Sequence, residues 1–395
     1  MSKGLTLINN VFPKANLIVF NSFPDINGNA LSLYEYILKE RKDIVSKYKL
    51  VWAVANMTKD EANAILCHRT NCSHHNIVLK KGIDGILAFL RAKYVVSTHG
   101  YFPSVSLNKN QQDINLWHGM PFKRIGLMLE EGSDAKYGNE QFATDFGIAT
   151  SEIFQNIMSQ SFGVGKERIH ITGQPCNDVL VSKSNALHKL GITKKYKKVI
   201  VWLPTYRKSI LGIDREDGKA DAFGVAVMLQ QYFEELNRLL QEKEYLLIVK
   251  PHPMDAICSL KFKESNHIKV YQNSDLAEKY IQLYDLLAES DLLLTDYSSV
   301  FIDYMITEKP IAFVCDDLDQ YGNSRGFCFE NPRTYMPGIL LTCPEDLFAY
   351  FKDVDSINAE WKESYRNIQK QFNRYCDGNS SKRVCDLIWK ADDKG

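Results

Sequence analysis

The feature that most constrains this chain is the repeated alternation of short apolar runs with amphipathic stretches. The runs NLIVF (16–20), YKLVWAVA (48–55), KYVVST (93–98), DINLW (113–117) and DFGIAT (145–150) each suit a buried strand. Between them lie GNALSLYEYILKERK (28–42), DGILAFLRA (84–92) and SEIFQNIMSQSF (151–162), whose apolar residues recur at helical spacing. In the first of these, Leu31, Tyr34, Ile37 and Leu38 form one stripe. Strands alternating with helices predict a mostly parallel sheet covered on both faces.

A polar, lysine-rich interval follows at 181–198, and the alternation then starts again. VIVWLP (199–204), YLLIVK (245–250), HIKVY (267–271), DLLLT (291–295) and PIAFVC (310–315) are the strands of this second half. A long helix is expected over 224–243 and a shorter one over 298–308. The expected organisation is a first Rossmann-like domain over 1–185, a second over 186–357, and a helical tail over 358–395. A chain of 395 residues is long enough for two such cores. Doubly wound halves bind ligands at the carboxyl ends of their strands, and here in a cleft between the halves.

Charge narrows the function. Lys+Arg and Asp+Glu both number 48, which argues against a nucleic-acid partner, since that needs a strongly basic face. Nine scattered cysteines suit a reducing compartment. No charged-then-apolar leader opens the chain and no run of 18 apolar residues occurs. A cytoplasmic protein, peripheral on the inner face of the membrane, is the expectation.

Strand ends carry the chemistry. NLWHGMPFKRIG (115–126) sets His118 on a glycine- and proline-marked turn after a strand, with Lys123 and Arg124 close behind. KPHP (250–253) sets Lys250 and His252 on a stiff turn after another. The two histidines belong to different halves and are expected to face one cleft. TDYSSVFIDY (295–304) opens a helix after a third strand, with Asp296, Ser298 and Ser299 at a helix start suited to phosphate, and Asp303 one turn on, suited to ribose hydroxyls. Ordinary helix capping accounts for the same residues taken alone. LPTYRK (203–208) offers Thr205 and Arg207 to a phosphate or base, and an ordinary exposed strand end accounts for them equally well. CHRTNCSHH (67–75) has cysteine spacing too wide for a zinc knuckle, and no metal site is expected.

The segments WHGMPFKRIG, ITGQPCNDVL, WLPTYR, KPHP, TDYSSVFIDYMITEKPIAF, MPGIL and DGNSSKRV, in this order, resemble the CDP-glycerol glycerophosphotransferase family. That family includes the teichoic acid primases and polymerases and related capsule polymerases. FPDINGNALSLYEYI (23–37), with Asn29, is similar to its acceptor-side segment. The sequence departs from the family's pattern at Cys176 and Asn177, where an arginine is common, and before Asp377-Gly378, where a histidine is.

The resemblance implies a GT-B architecture and transfer of a polyol phosphate, glycerol phosphate foremost, from a CDP-polyol to a hydroxyl acceptor with release of CMP. It places His118 and His252 in the catalytic centre and residues Thr295 to Ser299 at the donor's phosphates. Lys123 and Arg124 would steer a phosphate-rich acceptor, either a lipid-linked sugar or a polymer chain. Magnesium would bridge the donor pyrophosphate without a dedicated ligand set. The alternatives are a nucleotide-sugar glycosyltransferase of the same architecture and a non-catalytic CDP-ligand-binding protein. An anionic membrane surface is the expected docking partner, through Lys194–Lys198 and Lys123-Arg124.

Overall fold

The computed structural model describes residues 2–102, 105–129, 144–205, 223–252, 262–324 and 326–389. They form two compact units. The first comprises residues 1–120, 125–178 and 374–395, and the second 121–124 and 179–373.

In the first unit seven parallel strands form one sheet in the order β3-β2-β1-β4-β5-β6-β7. They are β1 (Ala15–Asn21), β2 (Lys49–Val54), β3 (Asn76–Leu79), β4 (Ala92–Ser97), β5 (Gln112–Asn115), β6 (Phe146–Ala149) and β7 (Ile169–Ile171). Successive side chains of β1 go to opposite faces, so Ile18 and Phe20 join one core and Val19 the other. The covering helices have clear local causes. Thr58 and Glu61 make a capping box that starts the helix Lys59–Thr70, and Asn71 ends it in the left-handed conformation. Ser151 caps Glu152–Phe162, which stops at left-handed Gly163.

The second unit has six parallel strands ordered β10-β9-β8-β11-β12-β13. These are β8 (Lys198–Leu203), β9 (Tyr245–Val249), β10 (Ile268–Val270), β11 (Leu292–Thr295), β12 (Ile311–Val314) and β13 (Leu340–Leu341). All five residues of β9 are buried, as a central parallel strand requires. In both sheets the strand order therefore reverses once, between β1 and β4 and between β8 and β11. The helix expected over 224–243 is two, Val225–Gln231 and Phe233–Lys243, broken at Tyr232.

The expected tail over 358–395 is divided between the units. The helix Val354–Phe372 belongs to the second. The helix Ser380–Trp389 belongs to the first, where Val384, Cys385, Ile388 and Trp389 enter the core beside Tyr34 and Tyr94. Asp178 holds its start, accepting from the backbone N–H groups of Ser380 and Ser381, both at 2.8 Å. The motifs ITGQPCNDVL and DGNSSKRV thus meet as one structural joint.

Candidate active site

The first unit builds its site at the ends of β1, β4 and β5. Beyond β5 the chain turns sharply, with Trp117 at φ 49° and Gly119 at φ 145°. A left-handed tryptophan costs on the order of 1–3 kcal/mol. Its surroundings hold it there: its ring lies 4.0 Å from that of His118 and 4.9 Å edge-on to Phe162, and Asn115 Oδ1 accepts from its N–H at 3.0 Å.

Asn29 is the main brace of this turn. Its amide donates to the carbonyls of Leu116 and Trp117 at 2.9 and 3.1 Å and to Gln174 Oε1 at 3.2 Å, and its own oxygen accepts from Cys176 N–H at 3.0 Å. It is 1% exposed, so the acceptor-facing role expected of Asn29 is corrected to a structural one. Cys176 stands where the family commonly carries an arginine, and its backbone completes this brace.

His118 remains accessible, with its ring anchored on one side. Its Nδ1 lies 3.3 Å from the Thr98 carbonyl. A carbonyl only accepts, so Nδ1 carries the proton and Nε2 bears the lone pair. Burial of its surroundings lowers its pKa to about 4, against a hydrogen bond to Thr98 that raises it. Because more than a third of the residue's surface is open, water offsets part of that shift. The outcome is a neutral base at physiological pH.

The sequence reading overlooked His99. Its ring stacks on His118 with centroids 3.9 Å apart and planes 4° from parallel. Burial first, then the neighbouring His118 and Lys80, lower its pKa to about 2. A signal was present: His99-Gly100 follows β4 just as His118-Gly119 follows β5. Lys80 was also missed. Its ammonium donates to Asn21 Oδ1 at 2.9 Å and to the Gly100 carbonyl at 3.3 Å, and burial lowers its pKa to about 8.

The second unit gathers its site where β8, β9 and β11 end. Thr205, beyond β8, donates from both N–H and Oγ1 to Asp296 Oδ2 beyond β11, at 2.9 and 2.7 Å. This clamp closes the point where the strand order reverses, the position at which such sheets bind ligands. Thr295 is wholly buried and donates to the Leu203 carbonyl at 2.8 Å, so it locks β8 to β11. Lys250 and His252 leave β9 here.

Burial lowers the His252 pKa to about 4, with the charges of Lys123 and Lys250 adding to the effect and Asp296 opposing it. Lys123 therefore lies among the second unit's charges, with its ammonium 5.4 Å from the Tyr321 ring centre. Arg124 accompanies it, donating from Nε to the Phe327 carbonyl at 3.1 Å. Both were expected on the acceptor side. The structure groups them with the second unit instead, because residues 121–124 pair there against Phe327 and Cys328.

Ser298 and Ser299 are half-buried ahead of the short helix Val300–Tyr304. Ser299 is its N-cap by position but makes no side-chain capping bond, and Asp296 Oδ2 accepts from Thr205. Simple capping therefore does not account for these side chains. Asp303 is fully buried and accepts from Tyr284 Oη at 2.6 Å. Where a ribose-binding role was expected, the structure shows its carboxylate holding Tyr284. Arg207 lies outside the described residues.

Among the described residues no group of three His, Cys, Asp or Glu side chains is placed to hold a metal. In the CHRTNCSHH stretch, His75 is a core histidine bonded to Tyr34 Oη at 2.8 Å and Thr70 Oγ1 at 3.0 Å.

The family profile described as CDP-Glycerol:Poly(glycerophosphate) glycerophosphotransferase matches residues 5–390. The chain belongs to this family. A teichoic acid glycerol-phosphate transferase of Staphylococcus aureus is 27% identical over 401 residues, covering 96% of this chain and 94% of that protein. A teichoic acid glycerol-phosphate primase of Bacillus subtilis is 28% identical, covering 78% of this chain and 76% of its own. A teichoic acid poly(glycerol phosphate) polymerase of Staphylococcus epidermidis is 27% identical over 96% of this chain, which spans about half, 51%, of that longer protein. Among solved structures, the wall teichoic acid polymerase TagF superimposes with a TM-score of 0.77 at 24% identity, over 100% of this chain and 94% of that one. The GT-B fold expected of the family is thus the fold of this chain.

Proposed function

We propose that this glycerophosphotransferase-family chain transfers glycerol phosphate from CDP-glycerol to a hydroxyl acceptor of a teichoic acid or capsule polymer and releases CMP. The observation that supports it is the division of charge between the units. The first presents a neutral imidazole with its Nε2 lone pair outward, which suits a hydroxyl. The second gathers Lys123, Lys250 and His252 around the Thr205–Asp296 clamp, which suits a diphosphate.

In this reaction the acceptor oxygen forms a bond to the β-phosphorus as the phosphoanhydride bond to CMP breaks. The acceptor's proton passes to His118 Nε2. The lysines and His252 meet the charge that gathers on the transferred phosphoryl group and on CMP, and such electrostatics carry most of the catalysis in phosphoryl transfer. The cationic donor set does not fit a resident divalent ion. Magnesium enters this reading as the donor's own counter-ion, and addition of a chelator to the assay tests its need.

The acceptor is lipid-linked or polymeric, and the chain docks on an anionic membrane surface to reach it. Among the described residues no helix is long and apolar enough to cross a membrane. Purified protein incubated with CDP-glycerol, CDP-ribitol and a nucleotide-sugar panel decides the reaction. CMP with a new phosphodiester is the expected product. A nucleoside diphosphate with a new glycoside would replace this reading by that of a glycosyltransferase.

A further inference from the structure

Thr98 fixes more than the tautomer of His118. Its hydroxyl is buried and has two partners: it accepts from Phe23 N–H at 3.2 Å, and His99 Nδ1 lies 2.9 Å away. The hydroxyl proton needs an acceptor, and His99 Nδ1 is the one within reach. The neutral His99 ring therefore carries its proton on Nε2. One residue thus sets two stacked imidazoles in opposite tautomers, its carbonyl taking a proton from His118 Nδ1 and its hydroxyl giving one to His99 Nδ1. Both rings turn Nδ1 toward Thr98 and lie parallel at 3.9 Å, so both Nε2 atoms face away from it together. One is a donor and the other an acceptor.

We infer that His99 Nε2–H and His118 Nε2 together form the subsite for the attacking hydroxyl of a polyol-phosphate acceptor. His99 donates to the hydroxyl oxygen and the hydroxyl donates to His118. An alcohol needs one donor and one acceptor, and this pair offers both at adjacent positions. A hydrogen bond to the oxygen also aims its remaining lone pair at phosphorus, so His99 binds and orients while His118 takes the proton. The inference rests on the transfer reading above. It adds a residue and a tautomer that the reading does not require. The charged and titratable groups facing His99 are His118 and Lys80.

The test uses the full chain labelled with ¹⁵N-histidine. At pH 7 the spectra are expected to show His99 protonated on Nε2 and His118 on Nδ1. His99 protonated on Nδ1 or on both nitrogens would overturn the inference, whatever the activity. Kinetics use CDP-glycerol with a poly(glycerol phosphate) oligomer ending in a free hydroxyl as the acceptor probe. His99→Phe keeps a stacked ring without the donor and is expected to raise the oligomer KM about tenfold while the CDP-glycerol KM stays unchanged. His99→Gln restores a donor and is expected to recover most of that loss. An unchanged oligomer KM in His99→Phe, an equal rise for both substrates, or a Gln variant as impaired as Phe would each overturn the subsite. A wild-type chain that releases no CMP from CDP-glycerol would remove the transfer reading alone, and the tautomer spectra would then decide the pair.

Discussion

At the scale of the residue, the chemistry depends on which protonation state of His118 the fold keeps. A general base must be deprotonated, and a lowered pKa holds it so to lower pH. The acid limb of kcat/KM is therefore expected between about 4 and the ordinary 6.5, since the residue's exposure moderates the shift. His252 behaves differently once the donor is bound. In the free chain the charges of Lys123 and Lys250 help to lower it, and a diphosphate would offset them. Donor binding should therefore raise the pKa of His252, and because its protonated form meets the phosphate charge this moves a basic limb: that of kcat should lie above that of kcat/KM, which a pH–rate series with CDP-glycerol checks. His118→Ala should lower kcat by ~10²–10⁴, about 2.7–5.5 kcal/mol, while donor binding and folding persist. Near-normal turnover by the folded variant would remove His118 as the base.

At the scale of the element, the site is a set of strand ends held by buried side chains. Asn29 ties two carbonyls of the His118 turn to the helix Gly28–Glu40. Asn29→Ala leaves those carbonyls buried and should cost on the order of 2–3 kcal/mol of stability. It should also lower kcat more than it raises the donor KM, which a urea midpoint and a kinetic split together test. At the other site, replacing both Ser298 and Ser299 by alanine should weaken CDP-glycerol binding much more than cytidine binding, and equal losses by calorimetry would indicate a fold defect.

Ten of the strands were legible because their apolar runs are bounded by polar turns. The three missed, β3, β7 and β13, are sheet edges of two to four residues and only partly buried, so their apolar runs are too short to stand out. His118 and His252 were legible as histidines on stiff turns after strands. The bracing bonds of Asn29, Thr295 and Asp303 were not legible, because a polar residue in a motif reads the same whether it faces a ligand or braces the turn behind one. Lys123 was assigned to the wrong unit because the chain enters the second unit for only four residues there.

At the scale of the whole molecule, the membrane docking proposed above makes separate demands on charged and on apolar surface. The lysine cluster expected to dock is partly neutralised. Lys197 pairs with Glu244 and Lys198 with Asp355, at 2.5 and 2.7 Å. These pairs are surface-exposed on at least one side and weak, so an anionic surface can compete for the lysines. Each cation near such a surface contributes about 1 kcal/mol. A second surface is apolar. The helix Ser2–Val11 exposes Leu7, Ile8 and Val11, and the helix Ile83–Arg91 exposes Ile83 and Leu87, while both helices pack into one core through Leu5 and Ile86. Exposed apolar side chains on amphipathic helices suit the headgroup boundary of a bilayer. Salt discriminates between the two contributions, because the Debye length falls to ~3 Å at 1 M and apolar contact is not screened. We expect flotation with anionic vesicles at low salt and a residual bound fraction at 1 M. Replacing Leu7 and Val11 with aspartate should abolish the residual fraction, and replacing Lys197 and Lys198 with glutamine should reduce only the low-salt fraction. A chain that stays at the bottom of the gradient at low salt would refute membrane docking and favour an acceptor free in solution.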